Sequence, residues 1–479
     1  DTLTLLTNAV SSEDCNMGHT HCLNCVLKGI AAWHLWARIA GWEGIGNQSS
    51  VFTAENGNWS NPANWDNGTP DSNTNALIPD GARVTIASSV RCNTLTIHPE
   101  GILTINIGDT LSAYQLTLKS KPDTAVTATL FNHGYVNITN ETHVERYVAS
   151  NTWITITTPV ANATADVFNA SEGELYQWDI ASGELIGIPE NTTPLNPMQG
   201  YLYRNQSGDT ILTFRGEINQ GSQDINLLIN EADTLYKGWN LIGNPYCAPV
   251  NWNSEGWDKS NIVNSIYFYG GANDQPCSYV NGLSNPKGCS NGVIQPMEAF
   301  WVYAHQEGKV SINDTTLIDF TPVETGGYLV DQKSIRLQLS DKESIYKTLI
   351  IFDPYGKETF ENEYDAFHMP VPPKGKPRSP GIFSLTGDKN LLSIDSRHDE
   401  KDFSIPIGIS SLGEGSHTLK IAEFNNINDT LYIMDKLEDK QIIINDAEYT
   451  FSEYAKKNTN RFILTTQLLT DNDSRVVSP

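Results

Sequence analysis

At 479 residues the chain exceeds one ordinary core and should divide into roughly three domains of about 150 residues each. An apolar fraction of 39%, with 11 Trp, 19 Tyr and 15 Phe, supplies enough buried surface for a folded protein and weighs against disorder. Lys and Arg total 31 against 56 Asp and Glu, a net charge of −25 that repels phosphate backbones and anionic lipids, so nucleic acid is not an expected partner.

The chain opens on Asp1, carries no apolar run of about 18 residues and is crowded with Asn, Thr, Ser and Gly. These features suit a mature extracellular protein whose leader has been removed, without membrane insertion. Residues 1–48 read as an N-terminal arm. Asp1-Thr2-Leu3-Thr4-Leu5-Leu6 alternates as a pairing strand does, and such an arm is expected to be tied to its own first domain or to the next subunit. A helix is expected over 22–42, where Leu23, Val26, Leu27, Ile30, Trp33, Leu35, Trp36 and Ile39 form a wide apolar arc. Within the arm, Cys15, His19, His21, Cys22 and Cys25 form a C-x3-H-x-H-C-x2-C run whose ligand types could close a tetrahedral zinc site. No second C-x2-C pair completes a finger, and no His follows Cys25 as haem attachment requires. In an exported protein disulfides are the stronger reading, with Cys15, Cys22 or Cys25 paired locally, with Cys92 or with a neighbouring subunit.

Residues 49–145 hold short period-two runs such as Arg83-Val84-Thr85-Ile86, Leu103-Thr104-Ile105-Asn106 and Tyr135-Val136-Asn137-Ile138, separated by turn residues. They suit a β-sandwich or a few rungs of β-solenoid. Trp59 and Trp65 lie six apart in an Asn/Gly/Pro-rich segment. They are candidate glycan contacts, since flat aromatic faces beside amides make sugar sites; the alternative is that they cap the end of a β core.

Residues 146–322 are duplicated, as 146–235 and 236–322. Trp153-Ile154-Thr155-Ile156 is echoed by Trp239-Asn240-Leu241-Ile242, Leu175-Tyr176-Gln177-Trp178 by Ile266-Tyr267-Phe268-Tyr269, and Pro197-Met198-Gln199-Gly200-Tyr201 by Pro296-Met297-Glu298-Ala299-Phe300. The offset grows from 86 (239 − 153) to 91 (266 − 175) to 99 (296 − 197), so the second copy has gained loop insertions between shared strands. One insertion carries Cys277 and Cys289, expected to close a local disulfide loop with a benefit of about 3 kcal/mol. Residues 323–468 read as a C-terminal β-sandwich and 469–479 as a tail; the Pro/Lys-rich stretch 369–380 reads as a loop.

Several segments carry a family likeness. Trp59-Ser60-Asn61-Pro62-Ala63-Asn64-Trp65 with Pro79-Asp80-Gly81-Ala82-Arg83-Val84-Thr85-Ile86, Gly238-Trp239-Asn240-Leu241-Ile242-Gly243-Asn244-Pro245-Tyr246, and Leu431-Tyr432-Ile433 with Arg461-Phe462-Ile463-Leu464 resemble secreted multi-module β proteins of Bacteroidota. The resemblance spans roughly 55–467. It implies export by the type IX secretion system, a cell-surface location, and a mature form whose sorting domain has been removed. It also implies O-glycans at Asp-Thr sites, here Thr110, Thr124, Thr210, Thr234, Thr315 and Thr430.

No Gly-x-Ser-x-Gly, His-Glu-x-x-His or phosphate-cradling loop occurs, and no catalytic residues are assigned. No cofactor is expected; calcium or zinc is conceivable but has no complete ligand set, Asp471-Asn472-Asp473 being a fragment of a calcium loop. The expected fold class is mainly β, with tandem sandwich or short solenoid modules and one N-terminal helix. The expected function is a self-assembling structural subunit of a surface fibre, sheath or layer, whose main partner is itself through the arm. A glycan- or cell-binding adhesin is the alternative, and a secreted degradative enzyme the weakest reading.

Overall fold

The computed structural model describes Trp36 and residues 48–468, apart from 123–125, 169–172, 234, 270–275, 320–331, 343, 371–380, 411–414 and 454–457. The arm, helix 22–42 (save Trp36), the Cys15–Cys25 run and the tail lie outside the described residues. What is described is mainly β, as the alternation implies.

The first nine strands are β1 (Gln48–Val51), β2 (Asn56–Asn58), β3 (Thr74–Ile78), β4 (Arg83–Ile86), β5 (Val90–Ile97), β6 (Ile102–Ile105), β7 (Thr110–Leu118), β8 (Thr129–Asn132) and β9 (Tyr135–Val148). Odd strands pair in parallel in one sheet and even strands in a second. Parallel pairing decides between the two sequence readings: hairpin-connected sandwich strands would be antiparallel, whereas successive parallel rungs make a β-solenoid. Inward side chains stack in columns, Ile78 on Ile97 on Leu118 on Val144 in one sheet and Val84 on Leu103 on Leu130 in the other, all buried. The open edge of the first rung is covered by the following loop. Asp66 N donates to Val51 O, Val51 N donates to Asp66 Oδ1, and Ser50 Oγ donates to Gly68 O. Natural sheets blunt exposed edges in this way.

β9 runs past the last rung and pairs antiparallel with a strand of the duplicated region, so solenoid and repeat share one sheet. The first repeat contains β10 (Trp153–Ile156), β11 (Val160–Ala161), β12 (Gly173–Asp179), β13 (Glu184–Gly187), β14 (Tyr201–Asn205) and β15 (Thr210–Ile218). The second contains β16 (Gln223–Leu227), β17 (Trp239–Gly243), β18 (Val250–Asn251), β19 (Trp257–Asp258), β20 (Ile266–Phe268), β21 (Cys277–Val280), β22 (Leu283–Asn285), β23 (Val293–Ile294), β24 (Ala299–Tyr303) and β25 (Gly308–Ile312). One sheet has the order β10-β14-β12-β13, the other β17-β24-β20-β21-β22. The order of the shared strands is the same.

The two repeats exchange contacts reciprocally. Gly243 N donates to Met198 O at 2.8 Å and Thr157 N donates to Met297 O at 2.9 Å, while Gln199 bridges Ile242 and Glu298 bridges Ile156. Met198 and Met297 both adopt left-handed backbone, φ 59° and 60°, which aims each across the boundary. Met198 packs in the core of the second repeat and Met297 in the core shared by solenoid and first repeat. This is the self-complementary contact of a two-fold dimer, built within one chain.

The C-terminal strands are β26 (Lys333–Ser340), β27 (Ile345–Asp353), β28 (Ala366–Phe367), β29 (Gly381–Leu385), β30 (Leu391–His398), β31 (Ser404–Ser410), β32 (Gly415–Asn425), β33 (Tyr432–Asp435), β34 (Lys440–Ile443), β35 (Glu448–Glu453) and β36 (Asn458–Thr465). They form one eleven-stranded sheet curled almost into a barrel, rather than two facing sheets. In β27 the run Thr348–Phe352 is buried on both faces: Ile350 and Phe352 fill the barrel, while Leu349 and Ile351 face the second repeat. A strand covered on both sides loses its polar alternation.

Candidate functional site: the half-buried face of the first repeat

Equal strand order and register give each position of one repeat a counterpart in the other. In the first repeat Trp153 lies opposite Arg204, and Thr155, Leu202 and Tyr176 lie in one row; in the second, Trp239 lies opposite Tyr303, and Leu241, Trp301 and Tyr267 form the matching row. Directly opposed residues share a face, so these rows define equivalent surfaces.

The surfaces differ in what covers them. In the second repeat the face is apolar and lies under the barrel, where Trp239, Tyr267 and Trp301 are 3%, 0% and 3% exposed and cluster with Leu349, Met369 and Ile394. Tyr303 meets Phe367 edge-on at 4.9 Å. Polar bonds fix the seam: Asn285 Nδ2 donates to Lys347 O at 2.7 Å, and Arg336 donates to Asn285 Oδ1 at 2.7 Å. In the first repeat Thr155 replaces Leu241, Leu202 replaces Trp301 and Arg204 replaces Tyr303. Arg204 lies 4.6 Å over the Trp153 ring and its Nε donates to Glu174 Oε2 at 2.9 Å. All of these side chains are half-buried. Trp178 and Leu185 on the same face are buried in the cluster shared with the second repeat and the barrel, Tyr176 and Leu202 pack against that cluster, and Thr155 Oγ donates to Ala299 O at 2.6 Å. The half-buried remainder brings together an aromatic ring, a guanidinium and a carboxylate, the combination that recognises planar polar ligands.

The edges differ as well. In the second repeat β22 adds a strand beyond β21. In the first, β13 ends the sheet. Ile188 N donates to Leu175 O at 2.9 Å, which sets the antiparallel phase: Glu184 and Ile186 bond to β12, and the backbone groups of Leu185 and Gly187 point outward. Among the described residues, β13 pairs only with β12.

Beneath the covered counterpart lies a buried carboxyl group that sequence reasoning missed. Asp365 Oδ1 accepts from Ser396 N and its Oδ2 from Glu361 N, each at 2.7 Å. Burial, then the neighbouring Asp395, pushes its pKa up to about 8. No motif surrounds it, and nothing local in the sequence shows that the barrel covers it.

The glycan-contact expectation for Trp59 and Trp65 is corrected. They are 0% and 4% exposed, their rings meet at 4.8 Å, and Trp65 Nε1 donates to Trp59 O at 2.7 Å. They close the first rung, and no ring face reaches solvent. Cys92 is likewise not a disulfide partner here: it is a free thiol within the solenoid, its pKa pushed up to about 12 by burial. Cys277 and Cys289 are bonded to each other as expected. Cys15, His19, His21, Cys22 and Cys25 lie outside the described residues, as do Thr124 and Thr234. Thr110 and Thr210 are half-buried within β7 and β15, whereas Thr315 and Thr430 are exposed.

A protein-family profile, described as a domain of unknown function (DUF8693), matches residues 51–309. The chain belongs to the DUF8693 family. The matched span runs from the first rung through both repeats into β25, so the family unit includes the solenoid together with the duplication. No curated protein and no solved structure matches the chain.

Proposed function

We propose that the chain is an extracellular structural protein, a self-assembling subunit of a surface fibre, sheath or layer, of the kind that Bacteroidota export by type IX secretion. The observation that supports this is continuity of the core. One apolar cluster joins the solenoid, the first repeat and Met297; a second joins the second repeat and Met198; a third joins Trp178, Trp239 and Ile394 across first repeat, second repeat and barrel. Among the described residues every module boundary is a packed interface, and close-packed interiors transmit load. The Cys277–Cys289 disulfide supports an oxidising location. Sedimentation and electron microscopy of the purified full chain test the reading. Particles that grow with concentration are expected, and a monomer at every concentration refutes it.

The adhesin alternative rests on the Trp153, Arg204 and Glu174 face. A glycan-array signal abolished by Trp153→Ala is its expected outcome; a signal unchanged by that substitution refutes it.

A further inference from the structure

We propose that the outward edge of β13 accepts residues Thr2–Leu6 of a second copy of this chain as an added antiparallel strand. The proposal rests on the subunit reading above and names the joint. The second repeat shows the precedent: beyond β21, the counterpart of β13, the sheet gains β22, with Ser278 opposite Asn285 and Val280 opposite Leu283. The first repeat has the same strand order and, among the described residues, no such strand.

The edge is suited to addition. Leu185 and Gly187 present backbone groups two residues apart, about 6.8 Å, which is the spacing at which a new antiparallel strand bonds. Ile186 between them is 43% exposed. Glu184 is the only charge on β13, and among the described residues no backbone group bonds to its outward side, the 230–236 loop packing at the β12–β13 turn instead, where Asn230 Nδ2 donates to Ala181 O; the first solenoid rung by contrast has its cover of residues 64–68. An unguarded, partly apolar edge is a template for pairing. The occupant follows from the chain itself. Thr2-Leu3-Thr4-Leu5-Leu6 is uncharged and alternates with period two over Thr2–Leu5, so that one face can cover Ile186. Between Leu6 and Gln48 lie 41 residues (47 − 6), about 135 Å when extended, enough to reach a neighbouring molecule. Main-chain bonds supply the affinity in strand addition, and the alternate side chains supply the register.

Two single substitutions in the full chain test the joint. Gly187→Pro removes an outward N–H; because Gly187 sits at a non-bonded pair with Tyr176, the β12 ladder is kept. Ile186→Lys places a charge on the edge without touching the backbone, and it decides the matter if the Pro variant fails to fold. The expected result is that both variants unfold at the wild-type temperature yet sediment as monomers at ten times the concentration at which wild type assembles. A synthetic peptide of residues 1–12 in excess should cap wild-type assembly. Assembly by folded Ile186→Lys at the wild-type concentration overturns the β13 joint and leaves the subunit reading standing. A peptide without effect overturns Thr2–Leu6 as the occupant. A wild-type chain that stays monomeric overturns both.

Discussion

Asp365 makes the stability of this protein dependent on pH in a calculable direction. Its carboxyl is buried between the barrel and the second repeat, with Asp395, Glu361 and Tyr267 around it, and Arg397 Nε donates to Asp395 Oδ2 at 2.9 Å. Its pKa rises from the ordinary 3.8 to about 8, first by burial and then by the Asp395 charge. A carboxyl raised on folding is protonated in the native state while its unfolded counterpart is ionised. The folded state therefore binds one more proton between about pH 4 and pH 8, and stability falls by about 1.4 kcal/mol per pH unit across that window. Across the whole window this amounts to about 6 kcal/mol, fully present below pH 4 and lost above pH 8. Asp365→Asn removes the titration. It also leaves one backbone N–H, of Glu361 or Ser396, facing an amide donor, at a cost of about 1–3 kcal/mol. Guanidinium unfolding at pH 5, 6, 7 and 8 measures the slope for both proteins. The variant should start less stable at pH 5 and lose about 1.4 kcal/mol less per unit than wild type, so that the two curves cross. Parallel slopes would show that Asp365 is ionised in the folded protein and would refute the argument.

Met198→Ala and Met297→Ala should each cost about 2–5 kcal/mol, because both side chains are fully buried, and by similar amounts because their settings are reciprocal. A near-zero value for either in denaturant unfolding breaks the reciprocity. Reducing the Cys277–Cys289 bond, which closes a loop of sequence separation 12, should cost about 3 kcal/mol. An unfolding midpoint unmoved by reductant contradicts this.

Local pattern was enough for much of the fold. Alternation at Leu103–Asn106 and Trp153–Ile156 marks strands because the pleat has period two, and Pro159 and Pro245 end strands because they cannot donate to a ladder. The duplication was legible for the same reason: Trp153 and Trp239 hold equivalent places in equivalent registers. The candidate site was legible only in part. Thr155 against Leu241 and Arg204 against Tyr303 appear in the aligned repeats, but their meaning depends on the barrel, whose covering strands β27 and β30 lie far along the chain.

By itself, then, the sequence determined the β class, the paired modules and the Cys277–Cys289 loop, each of which depends on residues close together or on a repeated pattern. Tertiary structure alone decided three things: that the first strands pair in parallel, that Trp59 and Trp65 turn inward, and that of two equivalent sheet faces one is buried throughout while the other stays half-buried around Trp153 and Arg204. The physical reason is that period two reports one buried face without saying what buries it. The partner is chosen by contacts across long sequence separation, such as Tyr303 against Phe367 and Met297 in the core of the solenoid and first repeat.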